Sequence, residues 1–248
     1  MASARGAKGM MDGFSSTSMT PDLLQEQVWD LLVCLYTCER HRGFLDEFHR
    51  SPVGRYLKKL PDSTVLEVYA DPGIERSFHE KGKLILRTPE RYDSLSLKTF
   101  EMMRYCSERF RFRRLLKIDV TVVRTRFEGP EYEGRVPLDI DKLVRFLESA
   151  PPERDYDGFR LFPAATRENA RKWAAKKGRS IDYERLFGTG PMVPFFGGKA
   201  YFVSPAFARF IAEHGAAMAR EHAEHFLGSE DVMVARLYQK FHAGTTEV

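Results

Sequence analysis

Short apolar runs that stop abruptly in polar or turn residues, separated by amphipathic stretches, limit what this chain can fold into more than any other feature. Leu31 to Thr37 is the first of them. It is apolar up to its last residue, without polar alternation, and so reads as a strand covered on both faces. Thr64 to Tyr69 is a second strand, ending at the turn Asp71-Pro72-Gly73, and Lys83 to Arg87 is a third. Arg114 to Val123 reads as a fourth and Tyr156 to Phe162 as another. The intervening segments have helical character: Pro21 to Asp30, His41 to Leu60 with a break near Ser51-Pro52, Leu138 to Ser149, Asn169 to Lys177, Pro205 to Phe226 and Ser229 to Phe241. The clearest helix is Ser94 to Phe110, with Leu97, Phe100 and Met103 on one stripe and Ser94 or Ser96 as its cap. This alternation predicts an α/β fold built on a layered sheet. Ligands of such sheets gather at the carboxyl ends of the strands. Thr37, Asp71 and Asp119 fall at or near such ends.

Composition narrows the function classes. Hydrophobic residues make up 43% of the 248 residues and charged ones 30%, enough for a substantial core. The net charge of +4 steers anions only weakly and does not argue for a nucleic-acid protein. Arg109 to Arg114 interleaves arginine with phenylalanine, but it reads as a charged helix end running into a strand. Cys34 and Cys106 read as small buried hydrophobes, and Cys38 lacks the second ligand pair that a zinc site needs. No stretch reaches the length of a membrane helix, which leaves peripheral membrane contact open. Residues 1–21 read as a disordered leader and 22–248 as a single domain.

A set of motifs in one order then comes into view. Tyr92-Asp93-Ser94-Leu95-Ser96-Leu97-Lys98-Thr99 is followed, eighteen residues after Thr99, by Lys117-Ile118-Asp119-Val120-Thr121. Tyr156-x-Gly158, Lys172-Trp173, the segment Pro194 to Ser204 and Glu230-Asp231-Val232-x-Val234 come next. Together they resemble the landmarks of the β-1,3-galactosyltransferase and Fringe glycosyltransferases. Arg42 to Pro52 faintly echoes the Arg-rich segment after that family's first strand. The resemblance spans about Leu31 to Phe241. It implies a GT-A-like, Rossmann-type nucleotide-binding fold with a mixed, mainly parallel central sheet, a nucleotide-binding half over about 31–123 and an acceptor half over about 124–242, and inverting transfer of a hexose or N-acetylhexosamine from a UDP-sugar to a sugar hydroxyl, with a β-linkage formed in a glycan or glycolipid. The absent membrane anchor departs from the Golgi-resident members of that family, and the expected setting is cytoplasmic or peripheral to a membrane, or the Golgi lumen for a trimmed chain.

The resemblance distributes roles. Asp231, with Glu230 close behind, is the expected general base that removes the acceptor proton. Acidic residues in a first turn are also ordinary helix-dipole partners. Thr37, Arg42, Asp71, Lys98, Lys117 and Asp119 are expected around the nucleotide sugar, with Lys117 able to pair with Asp119. Phe196, Gly197, Gly198, Lys199 and Tyr201 are expected to line the acceptor side, the glycines by allowing close backbone approach. Asp119 is the expected ligand for Mn2+ or Mg2+, with the late His242 as second ligand. Here the chain departs from the family, because Val120 and Thr121 replace two acidic residues. Three outcomes stay open: weak metal binding through Asp119, metal-independent transfer with basic residues holding the diphosphate, or a non-catalytic relative that binds nucleotide or glycan. His214, His222 and His225 are expected to be solvated.

Overall fold

The computed structural model describes residues 27–91, 94–123, 137–149, 154–162, 175, 194–222 and 230–245. The expected leader, the first part of the Pro21 to Asp30 helix, Tyr92-Asp93, the Lys172-Trp173 landmark with all of its helix but Ala175, and His225 lie outside them.

Nine strands and six α-helices are present among these residues. The strands are β1 (Val28–Tyr36), β2 (Ser63–Ala70), β3 (Phe78–Glu80), β4 (Lys83–Leu86), β5 (Arg111–Asp119), β6 (Tyr156–Gly158), β7 (Leu161–Phe162), β8 (Phe195–Phe196) and β9 (Ala200–Val203). The helices are α1 (Arg42–Arg50), α2 (Pro52–Leu57), α3 (Leu95–Arg109), α4 (Ile140–Ser149), α5 (Pro205–His222) and α6 (Glu230–Thr245). Seven strands form one sheet in the order β3-β4-β2-β1-β5-β9-β6, and β7 pairs with β8 apart from it. The β4, β2, β1 and β5 strands are mutually parallel, whereas β9 runs antiparallel to both β5 and β6.

The apolar character of β1 follows from its position. From Leu31 onward every residue is buried, because alternate side chains enter different layers. Leu32, Cys34 and Tyr36 join the core beneath α3, α5 and α6. Leu31, Val33 and Leu35 join the opposite core, with α1, α2 and α4. The sheet is therefore the middle of three layers. Cys34 and Cys106 behave as expected, both buried, with their sulfurs 3.8 Å apart.

Three expectations need correction. The Pro21 to Asp30 helix does not extend to its predicted end, since Val28 to Asp30 already belong to β1 and Val28 pairs with Arg111. The predicted fourth strand stops at Asp119. Val120–Val123 is a 3-10 turn, because the Asp119 carboxylate accepts from the Thr121 amide (2.7 Å) and hydroxyl (2.6 Å) and curls the chain. The predicted strand Tyr156 to Phe162 divides into β6 and β7, which belong to different sheets. The hairpin strand β3 was not anticipated. Its signal is the two-residue loop Lys81-Gly82 between Glu80 and Lys83, with φ of 49° and 77°, the positive-φ pair that a tight hairpin requires.

The break expected near Ser51-Pro52 separates α1 from α2. Ser51 caps α2, its hydroxyl accepting from the Gly54 amide at 3.0 Å, and Pro52 opens the helix where no amide donor is needed. No helix among the described residues is long and apolar enough to cross a membrane.

Candidate functional site

The strand order reverses direction beside β1. From β1 the chain moves outward on one side to β2 and β4, then returns to place β5 on the other side. In open α/β sheets this reversal opens a crevice at the carboxyl ends of the two central strands. Tyr36 is in register with Asp119 at that edge, and Thr37 follows at once, its amide donating to the Val68 carbonyl at 3.2 Å. The Thr37 hydroxyl is buried with no hydrogen-bond partner among the described residues.

Lys98 reaches this edge from α3, but not as an open phosphate ligand. Its ammonium is 2% exposed, donates to the Thr37 carbonyl at 2.7 Å and forks onto both Glu90 oxygens at 2.9 Å. Burial pulls its pKa down from the usual lysine value, against the pull of Glu90. Lys98 thus anchors the β1 end to the loop after β4. Arg42 stands exposed at the start of α1, immediately beyond β1. Asp71 is exposed at the end of β2 and accepts from the Gly73 amide at 2.8 Å, so its carboxylate shapes the turn.

A second group of residues meets this edge from later in the chain. The Gly197–Lys199 turn lies beside the end of β5, with the Asp119 amide donating to the Lys199 carbonyl at 2.8 Å. On its far side the Gly198 amide donates to Asp231 Oδ2 at 3.1 Å, while the Val232 amide donates to Oδ1 at 3.0 Å. Asp231 is half-buried. Burial first, and the neighbouring Glu230 second, push its pKa up to about 6.

Glu230 has a different environment. It is 3% exposed, pairs with Lys117 at 2.7 Å, and accepts from the Tyr201 hydroxyl at 2.9 Å and the Thr99 hydroxyl at 3.3 Å. A carboxylate engaged this fully is poorly placed to take a substrate proton. The geometry therefore separates the two acids that the chain places side by side: Asp231 faces the edge and Glu230 faces the core. Lys117 pairs with Glu230 and not with Asp119, because its side chain dips between Tyr36 and Tyr201. Thr99 and Tyr36, whose hydroxyl donates to Thr99 at 2.8 Å, belong to the same buried network; composition had not singled them out as site residues. The Lys-Thr pair in the α3 motif was the available signal for Thr99.

The acceptor-side expectations divide. Tyr201 is wholly buried and its hydroxyl is spent on Glu230, so it cannot stack on a sugar; burial raises its pKa well above the usual phenol value. Phe196 is half-buried, edge-on to Tyr156 at 5.0 Å, and packs over Gly158. Gly197 donates to the Arg160 carbonyl at 3.0 Å, and Lys199 is half-buried in the turn. Gly198 has no room for a larger residue: an added Cβ would lie 2.7 Å from Glu230 Oε1.

The expected pairing of Asp119 with His242 on a metal is not brought about. His242 lies twelve residues beyond Glu230 on α6, about 18 Å along the axis at 1.5 Å per residue. Its neighbour Tyr238 packs on Phe207, at the start of α5 and the opposite end of the sheet. Among the described residues no group of three or more His, Cys, Asp or Glu side chains is placed to hold a metal ion. One Asp119 oxygen is already taken by two Thr121 donors, where a hard divalent cation wants several free carboxylate or carbonyl oxygens. Asp119 and His242 are therefore not brought together on one ion. His214 is exposed, as expected, beside Phe210.

A cavity of about 210 Å³ lies elsewhere, between α3, α5 and the loop after β4, with Arg87, Leu97, Phe100 and Ala212 in its walls. It touches neither Asp231 nor the Gly197–Lys199 turn. No family model matches this chain, and no curated protein matches it.

Proposed function

We propose that this protein is an inverting glycosyltransferase with a GT-A-like fold, transferring a hexose or N-acetylhexosamine from a UDP-sugar to a sugar hydroxyl of a glycan or glycolipid. The observation that carries the reading is the meeting of two features at one edge of the sheet. The reversal of strand order between β1 and β5 opens a crevice there. Asp231, a half-buried carboxylate with a pKa of about 6, stands across the Gly197–Lys199 turn from it. The order of motifs that resembles the β-1,3-galactosyltransferase and Fringe enzymes supports the same assignment.

In the proposed reaction the acceptor hydroxyl gives its proton to Asp231. The freed oxygen pair forms a bond to the anomeric carbon, and the bond from that carbon to the diphosphate oxygen breaks. The bonding pair leaves with UDP, and attack from the opposite face inverts the anomeric centre. A base is most useful when its pKa lies near the working pH, which suits Asp231 better than an ordinary surface aspartate. Glu230 is assigned to structure. The diphosphate charge is assigned to Arg42 and Lys199, the cations named for this edge that are not wholly buried, and the transfer is read as independent of a resident metal.

Calorimetric titration with UDP, with and without Mn2+, tests the binding half of this reading. Binding that ignores Mn2+ and weakens in Arg42→Ala is expected. Release of UDP from UDP-galactose or UDP-N-acetylglucosamine in the presence of sugar acceptors tests the chemical half. No UDP binding under either condition would sink the reading. A second reading is favoured by one feature, the Thr121 hydroxyl turned onto Asp119 where the family carries an acid. On it the chain is a non-catalytic relative that binds nucleotide or glycan, and UDP binds without any turnover.

A further inference from the structure

We propose that Lys117 is a positioning residue for Asp231, its ammonium clamping the Gly197–Lys199 turn onto the first turn of α6 by holding the Gly198 carbonyl and the Glu230 carboxylate at once. The inference rests on Asp231 being the base. Lys117 comes from β5, the central strand whose carboxyl end forms one wall of the crevice. It donates to the Gly198 carbonyl and, at 2.7 Å, to Glu230 Oε1. The Gly198 amide in turn donates to Asp231 at 3.1 Å. Gly198 is thus held through its carbonyl by Lys117 and through its amide by Asp231, and the absent Cβ leaves the 2.7 Å that Glu230 occupies. Because Glu230 precedes Asp231 directly, fixing Glu230 also fixes how α6 begins and where the Asp231 carboxylate points.

The pair is a costly way to gain stability alone. Burying two charges removes their hydration, and well-packed apolar residues of the same volume commonly do as well or better. What an apolar pair cannot do is bond a carbonyl, a carboxylate and two aromatic faces from one point. The Lys117 ammonium lies 4.6 Å from the Tyr36 ring centroid and 5.5 Å from that of Tyr201, and Glu230 also takes the Tyr201 and Thr99 hydroxyls. Three strands and two helices are tied to one ion pair, α3 through the Thr99 hydroxyl on Glu230. The titratable and charged groups around Asp231 are Glu230 on α6, Lys117 on β5, Tyr201 on β9, Tyr156 on β6, Tyr36 on β1 and Lys199 in the turn; α3 contributes the neutral Thr99. Of these, Glu230 raises the Asp231 pKa and Lys117 lowers it.

The test compares wild type, Glu230→Gln and the double variant Lys117→Met/Glu230→Gln, which leaves no unpaired buried charge. Gly198 amide exchange and the Asp231 carboxyl titration are followed by NMR, and kcat and KM by UDP release from UDP-galactose and UDP-N-acetylglucosamine. In Glu230→Gln the lysine still holds the Gly198 carbonyl. Exchange should therefore stay within about threefold of wild type while the Asp231 midpoint falls, since a neighbouring negative charge is gone. In the double variant the turn is released. Gly198 exchange should accelerate by about tenfold or more, and kcat should drop by about 100-fold with KM little changed, as a displaced catalytic group implies. Unchanged Gly198 exchange in the double variant overturns the clamp, and so does a kcat within about threefold of wild type. If the double variant does not fold, an Asp231 midpoint that fails to move in Glu230→Gln overturns the coupling of the pair to the base. If wild type releases no UDP from either donor, the enzymatic reading fails separately, and Gly198 exchange still decides the clamp.

Discussion

Adjacent residues of like charge can have opposite fates, and Glu230 and Asp231 illustrate why. A helix advances about 100° per residue, so at the first turn of α6 one carboxylate faces the core and its neighbour the crevice edge. The buried member needs a counter-charge, and Lys117 supplies it at 2.7 Å. Lys117→Met alone should destabilise by about 3–5 kcal/mol in chemical denaturation, because Glu230 would be left buried and unpaired. The partly exposed member keeps a raised pKa of about 6, above that of an unfolded aspartate. A raised carboxyl pKa contributes stability that is fully present below the unfolded value, near pH 4, and lost as pH rises through about 6. The melting temperature of Asp231→Asn relative to wild type should accordingly increase between pH 4 and pH 7. Catalysis should follow the opposite course, with kcat/KM rising through about pH 6 as the base ionises, and Asp231→Asn losing about 10²–10⁴-fold of it.

Between elements, small residues mark where two helices or a helix and a strand come close. Gly215 in the middle of α5 meets the Phe100 ring of α3, and a Cβ there would sit 2.6 Å from the ring carbon. Overpacking of this kind forces side chains out of their preferred rotamers. Gly215→Ala should therefore cost about 1–3 kcal/mol, despite the better helix propensity of alanine, as a urea midpoint would show. The α1–α2 corner is set by local chemistry instead. Ser51 and Pro52 stop one helix and start the next, and Ser51→Ala should cost about 1 kcal/mol through loss of the cap.

For the molecule as a whole, hydrogen bonds at the crevice tie the earlier strands to the later part of the chain, Asp119 to Lys199 and Lys117 to Gly198 and Glu230. A ligand that binds only the folded state must stabilise it. UDP at about 100 times its Kd should add about 2.7 kcal/mol and raise the melting temperature by roughly 5–11 °C for a chain of this size. A null result in a thermal-shift experiment at millimolar UDP would count against the crevice as a nucleotide site.

The sequence by itself determined the layered α/β class, the existence and order of the four parallel strands, though not all their bounds, and the clearest helix. Those features depend on local patterns: continuous apolar runs for doubly covered strands such as Leu31 to Tyr36, and an apolar stripe for Leu95 to Arg109. It also placed Asp231 among the candidates by its resemblance to a known motif. Partner choice could not be read the same way. Nothing local distinguishes Lys117 as the mate of Glu230, 113 residues away, from a lysine paired with Asp119 two positions on. Nor does any local pattern show that Tyr201 is spent on a buried carboxylate, that Lys98 is locked onto Glu90, or that His242 ends up at the far end of the sheet. Tertiary structure decided these points, because a buried charge takes whichever opposite charge the folded layers bring within reach, and that is set by packing across the whole chain.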